Sequence, residues 1–584
     1  MATKPAQINY GQRLLPVVID ELARDEPQRP WASLPLDDND LTQGYEDISY
    51  AAFANAINKL SWLVEATIGR STSFATIAYM GPSDVRYQMM QMAACKTGHK
   101  VLFSSHLNSL HIHVSLMEQT RCQALLTASG VDVDDILEGR PMLHALIPEL
   151  DDLLCMDDIA DHYPYTKTFA QAAQDPYLVL HSSGTTGDSK PVVINHAAVA
   201  TVERQNLLPD VEGWTHFLLS KLGKGVRFLV PSAPFHALCS MGSLCSSVFG
   251  GAVFVPGLRH RAVEPSEICD VLTHCGATKA VLVPWMMEEV ARRPDARDYI
   301  ESLEVVCFGG AALSPSASRI WAQHTKIQNF WAGTEFLSPP QLEADPGDHA
   351  YVFFDVERGG LEFRAVQVDS YSSTSSSSST ETLYEMVITL TPKSALFSPW
   401  HARNGITLDS NSTPSASEIA VGDLWTPHPD PKKARYAWRF AGRLDDLITF
   451  STAINLRPAP MESALAAHES VGAALVIGNR RQQPLALIEL APGVSPEAIS
   501  EIWKAVIRPL NARVPAHGRV AETHVLPVAA GEFVRTPKGS VARGETEKKF
   551  EGEIEVVYAR FGDRWQDGSE RYVASGRRLA RSFL

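Results

Sequence analysis

Between residues 74 and 310 the chain sets down one short apolar run after another: FATIAYM (74–80), KVLFSS (100–105), YLVLHSS (177–183), VRFLVPSAP (226–234), GAVFVPG (251–257), KAVLVPW (279–285) and LEVVCFGG (303–310). Helical stretches separate many of them. Short apolar strands alternating with helices predict an α/β fold with largely parallel sheets, whose faces the intervening helices cover. Helix-type spacing, with apolar residues recurring at three and four, is present in GQRLLPVVIDELAR (11–24) and more clearly in SYAAFANAINKLSWLVEAT (49–67). Beyond about residue 445 the pattern becomes compact α+β, with strands such as AALVIG (473–478) and PLALIEL (484–490) flanking helices. The expected division is a large N-terminal unit of mixed sheets and helices (1–444), a smaller mobile α+β unit (445–560) and a tail (561–584).

At 584 residues the chain exceeds a single hydrophobic core. Its 45% hydrophobic and 20% charged residues are those of a soluble globular protein. The 52 Lys and Arg against 67 Asp and Glu give a net charge of −15. No basic run carries interleaved aromatics, so a nucleic-acid partner is not expected. The eight cysteines never form C-x-x-C, which argues against a disulfide scaffold or zinc ribbon and for buried thiols of a reducing compartment. The first thirty residues lack an apolar core after a basic start, and no stretch approaches about 18 uninterrupted apolar residues, so a cytoplasmic protein without membrane partners is expected. The serine run from Ser372 to Ser379 and the polar stretch NSTPSASE (411–418) read as surface loops without assignable chemistry.

One such polar stretch has a different character. HSSGTTGDSKPVV (181–193) follows an apolar run and packs Ser182, Ser183, Gly184, Thr185, Thr186 and Gly187 into consecutive positions, with Lys190 three residues on. Backbone N–H groups and hydroxyls can converge there without side-chain bulk, which suits a phosphate. The Walker spacing does not apply, because Gly184 and Gly187 are only three apart and Pro191 follows the lysine. Taken alone, the cluster also reads as a flexible surface loop.

The loop resembles the phosphate loop of the adenylate-forming superfamily, which includes acyl-CoA synthetases, luciferases and the adenylation domains of nonribosomal peptide synthetases. Further segments stand in that family's order: PFHALCSMG (234–242), CFGGAALS (307–314) leading to NFWAGTE (329–335), VGDLW (421–425), AGRLDDLITF (441–450) and RTPKGSVAR (535–543). The resemblance covers nearly the whole chain. A narrower one, carried by residues 79–109, Pro191, NARVPAHGRV (511–520) and VRTPKGSVAR, is to fungal carboxylic acid reductases of the peptide-synthetase-like type. Those proteins join an adenylation domain to a carrier domain and an NADPH-dependent reductase domain. No G-G-x-S carrier motif is present here, so the chain is expected to be the adenylation part alone or an excised fragment.

The resemblance implies roles residue by residue. Ser182, Ser183, Gly184, Thr185, Thr186 and Gly187 would wrap the β- and γ-phosphates of ATP, with Lys190 adding positive charge. Glu335, beside Thr334, would hold Mg²⁺, with Thr185 as a second ligand. Gly309, Gly310 and Ala311 would approach the adenine, and Trp331 stands where the family usually has the tyrosine that packs on the base. Asp423 would accept hydrogen bonds from the ribose and Arg443 donate to it. Lys538 would neutralise the incoming carboxylate and the bridging oxygen, and Asp445 matches the hinge about which the small domain turns. Phe235, His236, Phe330 and Gly333 would line the acid site. By themselves Trp331 and His236 read equally as core residues, and Asp423, Arg443 and Lys538 as solvated surface charges.

His236 stands where amino-acid-activating domains place an aspartate for the α-ammonium, which argues against an α-amino acid. A histidine there could contact the carboxylate or gate the thiol tunnel. Three departures weaken the thioester step: Ala332 before Thr334 and Ala453 in STAIN each replace a glycine, and DSKP replaces x-P-K-G. The implied activity is ATP- and Mg²⁺-dependent conversion of an aryl or other non-amino carboxylic acid to acyl-AMP. Transfer to a carrier phosphopantetheine thiol and reduction to an aldehyde would follow. Left open are a small quaternary-ammonium acid held by an aromatic cage drawn from Phe235, Trp285, Phe330, Trp331 and Phe336, a free-standing acyl-CoA ligase, and an inactive nucleotide-binding module.

Overall fold

The computed structural model describes residues 9–106, 108–181, 189–218, 221–311, 313–370, 379–405, 418–451, 455–512, 514, 516–536 and 539–562. Positions 182–188 of the glycine-rich loop, Ala453, Lys538, most of the two polar inserts and the tail from 563 lie outside the described residues.

Two sheets form the body of the N-terminal part. The first orders its strands Lys326–Asn329, Val305–Phe308, Lys279–Leu282, Arg227–Leu229, Val253–Val255, Pro30–Pro35 and Tyr45–Ser49. All neighbours are parallel until the last strand, which returns antiparallel. The second orders Leu143–Leu146, Ala124–Thr127, Thr76–Met80, Lys100–Phe103, Pro176–His181 and Pro191–Asn195, again parallel up to one antiparallel edge.

Side chains alternate along a strand, so a continuous apolar run must bury both faces. Ile77, Tyr79, Val101, Phe103, Leu178 and Leu180 meet Phe228, Phe254, Val281 and Cys307 in one core between the two sheets. The helices Leu15–Asp25, Tyr50–Ile68 and Arg86–Lys96 add to it, and Trp31 stacks on Phe53 with ring centroids 3.5 Å apart. The alternate residues go outward. Ala78, Met80, Leu102 and Val179 pack on the helices Leu110–Gln119 and Asp134–Gly139. Leu229, Val255, Leu282 and Phe308 pack on Ile268–His274, Pro284–Ala291 and Pro315–His324.

The third sheet departs from the parallel expectation. Leu361–Ser370, Ser379–Thr389, Glu418–Pro427 and Ala437–Arg443 pair antiparallel in sequence order, and the short helices Ser394–Phe397 and Pro399–Arg403 stand between the second and third of them. The serine run falls between the two strands that pair Ser370 with Ser379. The C-terminal part carries its own three-stranded sheet, Val471–Ile477, Leu485–Leu490 and Val525–Val528, with separate cores on its two faces. All eight cysteines are free; seven are buried as expected, while Cys155 is exposed. Among the described residues no helix is long and apolar enough to cross a membrane.

Candidate active site

In parallel sheets ligands collect beyond the carboxyl ends of the strands. Four neighbouring strands of the first sheet place sequence-predicted residues along that rim. Phe235 and His236 follow Arg227–Leu229, Trp285 follows Lys279–Leu282, Gly309, Gly310 and Ala311 follow Val305–Phe308, and Phe330 to Glu335 follow Lys326–Asn329. A Cβ on Gly309 would lie 2.4 Å from the Phe330 carbonyl oxygen, so only glycine lets these two loops run side by side. His236 is half-buried and its ring centroid lies 4.8 Å from that of buried Phe235.

The second sheet brings its own rim to the same place. His181, the residue before the glycine-rich loop, accepts on Nε2 a hydrogen bond from the Ser105 backbone N–H at 3.2 Å. His106 lies edge-on to Phe235 at 5.2 Å between centroids, joining the two rims. Burial lowers the His106 pKa from its ordinary value, favouring the neutral ring. The sequence reading missed His106 and His181. The signal for His106 was the polar stretch SSHLNS directly after an apolar strand, and that for His181 its place between the run YLVL and the glycine-rich loop. Lys190, three residues beyond the loop, is exposed.

Residues 333–337 form a tight turn closed by the Gly333 and Leu337 backbones, whose N–H groups each donate to the other's carbonyl at 3.0 and 2.7 Å. Glu335 sits within it, half-buried, and its carboxylate makes no hydrogen bond or close ion pair among the described residues. Among the described residues no group of three or more His, Cys, Asp or Glu could hold a metal unaided. A single partner-free carboxylate fits Mg²⁺, which is held by one or two carboxylates while phosphates and water complete its shell. A Cβ on Gly333, which the sequence places at the acid site, would meet the Phe336 ring.

Trp331 does more than pack. Its ring stacks on Phe336 at 4.5 Å, and its Nε1–H donates to Asp423 Oδ2 at 2.7 Å. Asp423 and Arg443 are cross-strand partners in the third sheet, and Arg443 Nη1 donates to Asp423 Oδ1 at 3.0 Å. Arg443 Nε donates in turn to Asp445 Oδ1 at 3.0 Å. Asp423 is 6% exposed, so it is no solvated surface charge. Burial raises its pKa, opposed by the Trp331 hydrogen bond and the Arg443 charge.

Arg403 was not anticipated from the sequence. It ends the short helix Pro399–Arg403, and its Nε is buried with no hydrogen-bond partner among the described residues. Burial lowers its pKa, with the Glu335 carboxylate as the opposing charge.

Residues 24–350 match the sequence profile of the family described as AMP-binding enzyme, and residues 445–562 that of the AMP-binding enzyme C-terminal domain. The chain is 30% identical to a carboxylic acid reductase of Neurospora crassa over 94% of its own length and 51% of the relative's. It is 24% identical to the adenylate-forming reductase Nps9 of Serpula lacrymans, covering 91% of the chain and 48% of the relative. It thus spans about half the length of these curated relatives. Among solved structures, ATP-bound MatB from Rhodopseudomonas palustris superposes with a TM-score of 0.67 at 15% identity, covering 93% of this chain and all of MatB. An anthranilate CoA ligase in complex with anthranoyl-AMP gives 0.66 at 16% identity, covering 95% of this chain and all of the ligase. At these identities the structural likeness concerns the fold.

Proposed function

Because the chain belongs to the AMP-binding enzyme family and is an adenylate-forming ligase, we propose that it activates a non-amino carboxylic acid, aryl acids foremost, as acyl-AMP with release of pyrophosphate. The observation that carries the reading is the juxtaposition of buried Asp423, paired with the half-buried Arg443 and tied to Trp331, with Glu335 four residues further along the same loop as Trp331. One end offers acceptors and a donor to a ribose, the other a carboxylate for a phosphate-bound cation.

Adenylation is largely a problem of positioning and charge neutralisation, since the acid's carboxylate must displace pyrophosphate at the α-phosphate. Asp423 and Arg443 orient the ribose, and the Gly309–Gly310 backbone lies open to the adenine. Residues 182–187 and Lys190 hold the β- and γ-phosphates. Glu335 and Thr185 would hold Mg²⁺, which would supply positive charge to offset that of the phosphates. Lys538 neutralises the approaching carboxylate. His236 and Phe235 face the acid at the mouth where His106 closes the far side, and the absence of an aspartate there supports an acid without an α-ammonium.

The acyl group then passes to a phosphopantetheine thiol on a carrier, and a reductase releases the aldehyde. The names of the two reductase relatives support that fate. In this reading residues 1–444 form the adenylating body, 445–560 the mobile unit and 561–584 a linker toward the carrier. The test is pyrophosphate release across a panel of aryl, alkyl, amino and quaternary-ammonium acids, with and without chelator. Release that is acid-dependent, Mg²⁺-dependent and strongest with aryl acids is expected. Release undiminished in excess chelator would overturn the metal assignment, and preference for amino acids would overturn the substrate class.

A further inference from the structure

Arg403 is a cation without a settled home. A guanidinium offers five N–H donors in a fixed fork and stays protonated, so burying part of it without a partner costs free energy unless an anion arrives. Its Nε is buried and donates to nothing among the described residues, yet its backbone is firmly placed. Asn195 Nδ2 donates to the Arg403 carbonyl at 2.9 Å, and Gln174 Nε2 to the carbonyl of Ala402 at 3.2 Å. Asn195 closes the strand Pro191–Asn195, which is paired with Pro176–His181, and the glycine-rich loop connects these two strands. On the other side Trp400, from the same helix, shares a core with Phe336, the neighbour of Glu335. Arg403 is therefore seated between the segment that returns from the loop and the turn that carries Glu335. Glu335 is the charge that opposes the effect of burial on the guanidinium.

We propose that Arg403 is a phosphate-binding residue of the active site, taking the β- or γ-phosphate of the nucleotide, and then the departing pyrophosphate, on its guanidinium. The inference rests on the adenylation reading and deepens it. Arg403 reads as the cation that answers the polyanion from the side of Glu335, complementing Lys190 on the loop side. A guanidinium grips two phosphate oxygens at once, which a lysine cannot do. Without a nucleotide, Glu335 is the negative charge that faces the guanidinium, with no hydrogen bond or close ion pair between them. With one, the phosphates compensate the guanidinium and leave the carboxylate for the metal.

The experiment measures binding of inorganic pyrophosphate with Mg²⁺, and separately of AMP, to the 584-residue chain by calorimetry. The variants are Arg403→Ala, Arg403→Gln and Arg403→Lys, and the Michaelis constant for ATP is read alongside. Loss of a charge-assisted contact weakens binding by about ten- to a hundredfold. Arg403→Ala and Arg403→Gln should weaken pyrophosphate binding and raise the ATP constant by that factor, while AMP affinity changes less than about threefold. Arg403→Lys should fall between. Pyrophosphate affinity equal to wild type in either neutral variant overturns the proposal. Equal loss of AMP and pyrophosphate binding also overturns it, since that marks a purely structural arginine. If Arg403→Ala does not fold, the Gln and Lys variants carry the comparison. Should the wild-type chain bind pyrophosphate through Arg403 yet release none with any acid, the adenylation reading fails and the phosphate site stands.

Discussion

Asp423 illustrates how one residue's chemistry is set by its neighbours. A carboxylate that is 6% exposed accepts from two donors that favour its ionised form, Trp331 Nε1–H at 2.7 Å and Arg443 Nη1 at 3.0 Å. Trp331→Phe keeps the ring stacked on Phe336 but removes the first donor, leaving a buried acceptor unsatisfied at a cost of about 1–3 kcal/mol. The Michaelis constant for ATP should rise about tenfold, equivalent to ~1.4 kcal/mol, with little change for the acid. The sign of the pH effect follows from the same bond. Burial raises the Asp423 pKa and the Trp331 hydrogen bond lowers it, so removing the donor raises it further. Activity that needs the ionised carboxylate is lost as pH falls through that pKa. The acid limb of kcat/KM for ATP should therefore move to higher pH in Trp331→Phe, and an unmoved limb would separate Asp423 from nucleotide binding.

At the scale of the element, the turn 333–337 is built around a missing side chain. A Cβ on Gly333 would lie 2.2 Å from Phe336 Cζ and 2.4 Å from Cε2, so Gly333→Ala must displace the ring that Trp331 stacks on. Overpacking of this kind costs about 1–3 kcal/mol. The variant should unfold at lower denaturant and lose ATP affinity together, and Phe336→Leu added to it should recover part of both; strictly additive losses would show that the two positions are not coupled. The motif that carries this turn was legible because glycine, threonine and glutamate stand together in the order that the family resemblance implies, in NFWAGTE. The parallel strands were legible too, since burial on both faces leaves unbroken apolar runs such as AVLV. What stayed hidden depends on tertiary approach. The strands of the antiparallel third sheet mix polar and apolar residues, so no run announces them. Arg403 lies in SPWHARN, a stretch with no motif, and its importance appears only when the helix Pro399–Arg403 is packed between Asn195 and the core of Phe336. His106 gains its meaning only from Phe235, 129 positions away and on another sheet, at 5.2 Å.

Over the whole molecule, the small unit and the large one meet near the hinge and near the site. Arg443 links the Asp423 pair to Asp445, and the next residue, Asp446, lies 3.6 Å from Arg543. Further out, a Cβ on Gly539, the residue after Lys538, would lie 3.4 Å from Trp285 Cδ1, so the backbone beside Lys538 passes over the indole at the rim of the first sheet. On the proposed function one small unit serves two reactions, and it should lose them separately when different residues change. On the same proposal Lys538→Ala removes a charge used only while the acyl-phosphate bond forms, and should slow acyl-AMP formation about a hundredfold or more. Transfer of supplied acyl-AMP to a pantetheine thiol should continue in that variant near the wild-type rate. Asp445→Pro fixes φ at the hinge and removes the carboxylate that Arg443 Nε holds, so it should impair transfer more than adenylation. Asp445→Asn, which leaves the backbone free, separates the two effects: if it matches Asp445→Pro, the carboxylate and not the hinge is responsible. Both half-reactions are measured in all three variants by pyrophosphate release and by thioester formation. Wild-type acyl-AMP formation in Lys538→Ala would remove RTPKGS from the catalytic machinery. Equal damage to both half-reactions in Asp445→Pro would mean that the small unit does not turn about this residue between them.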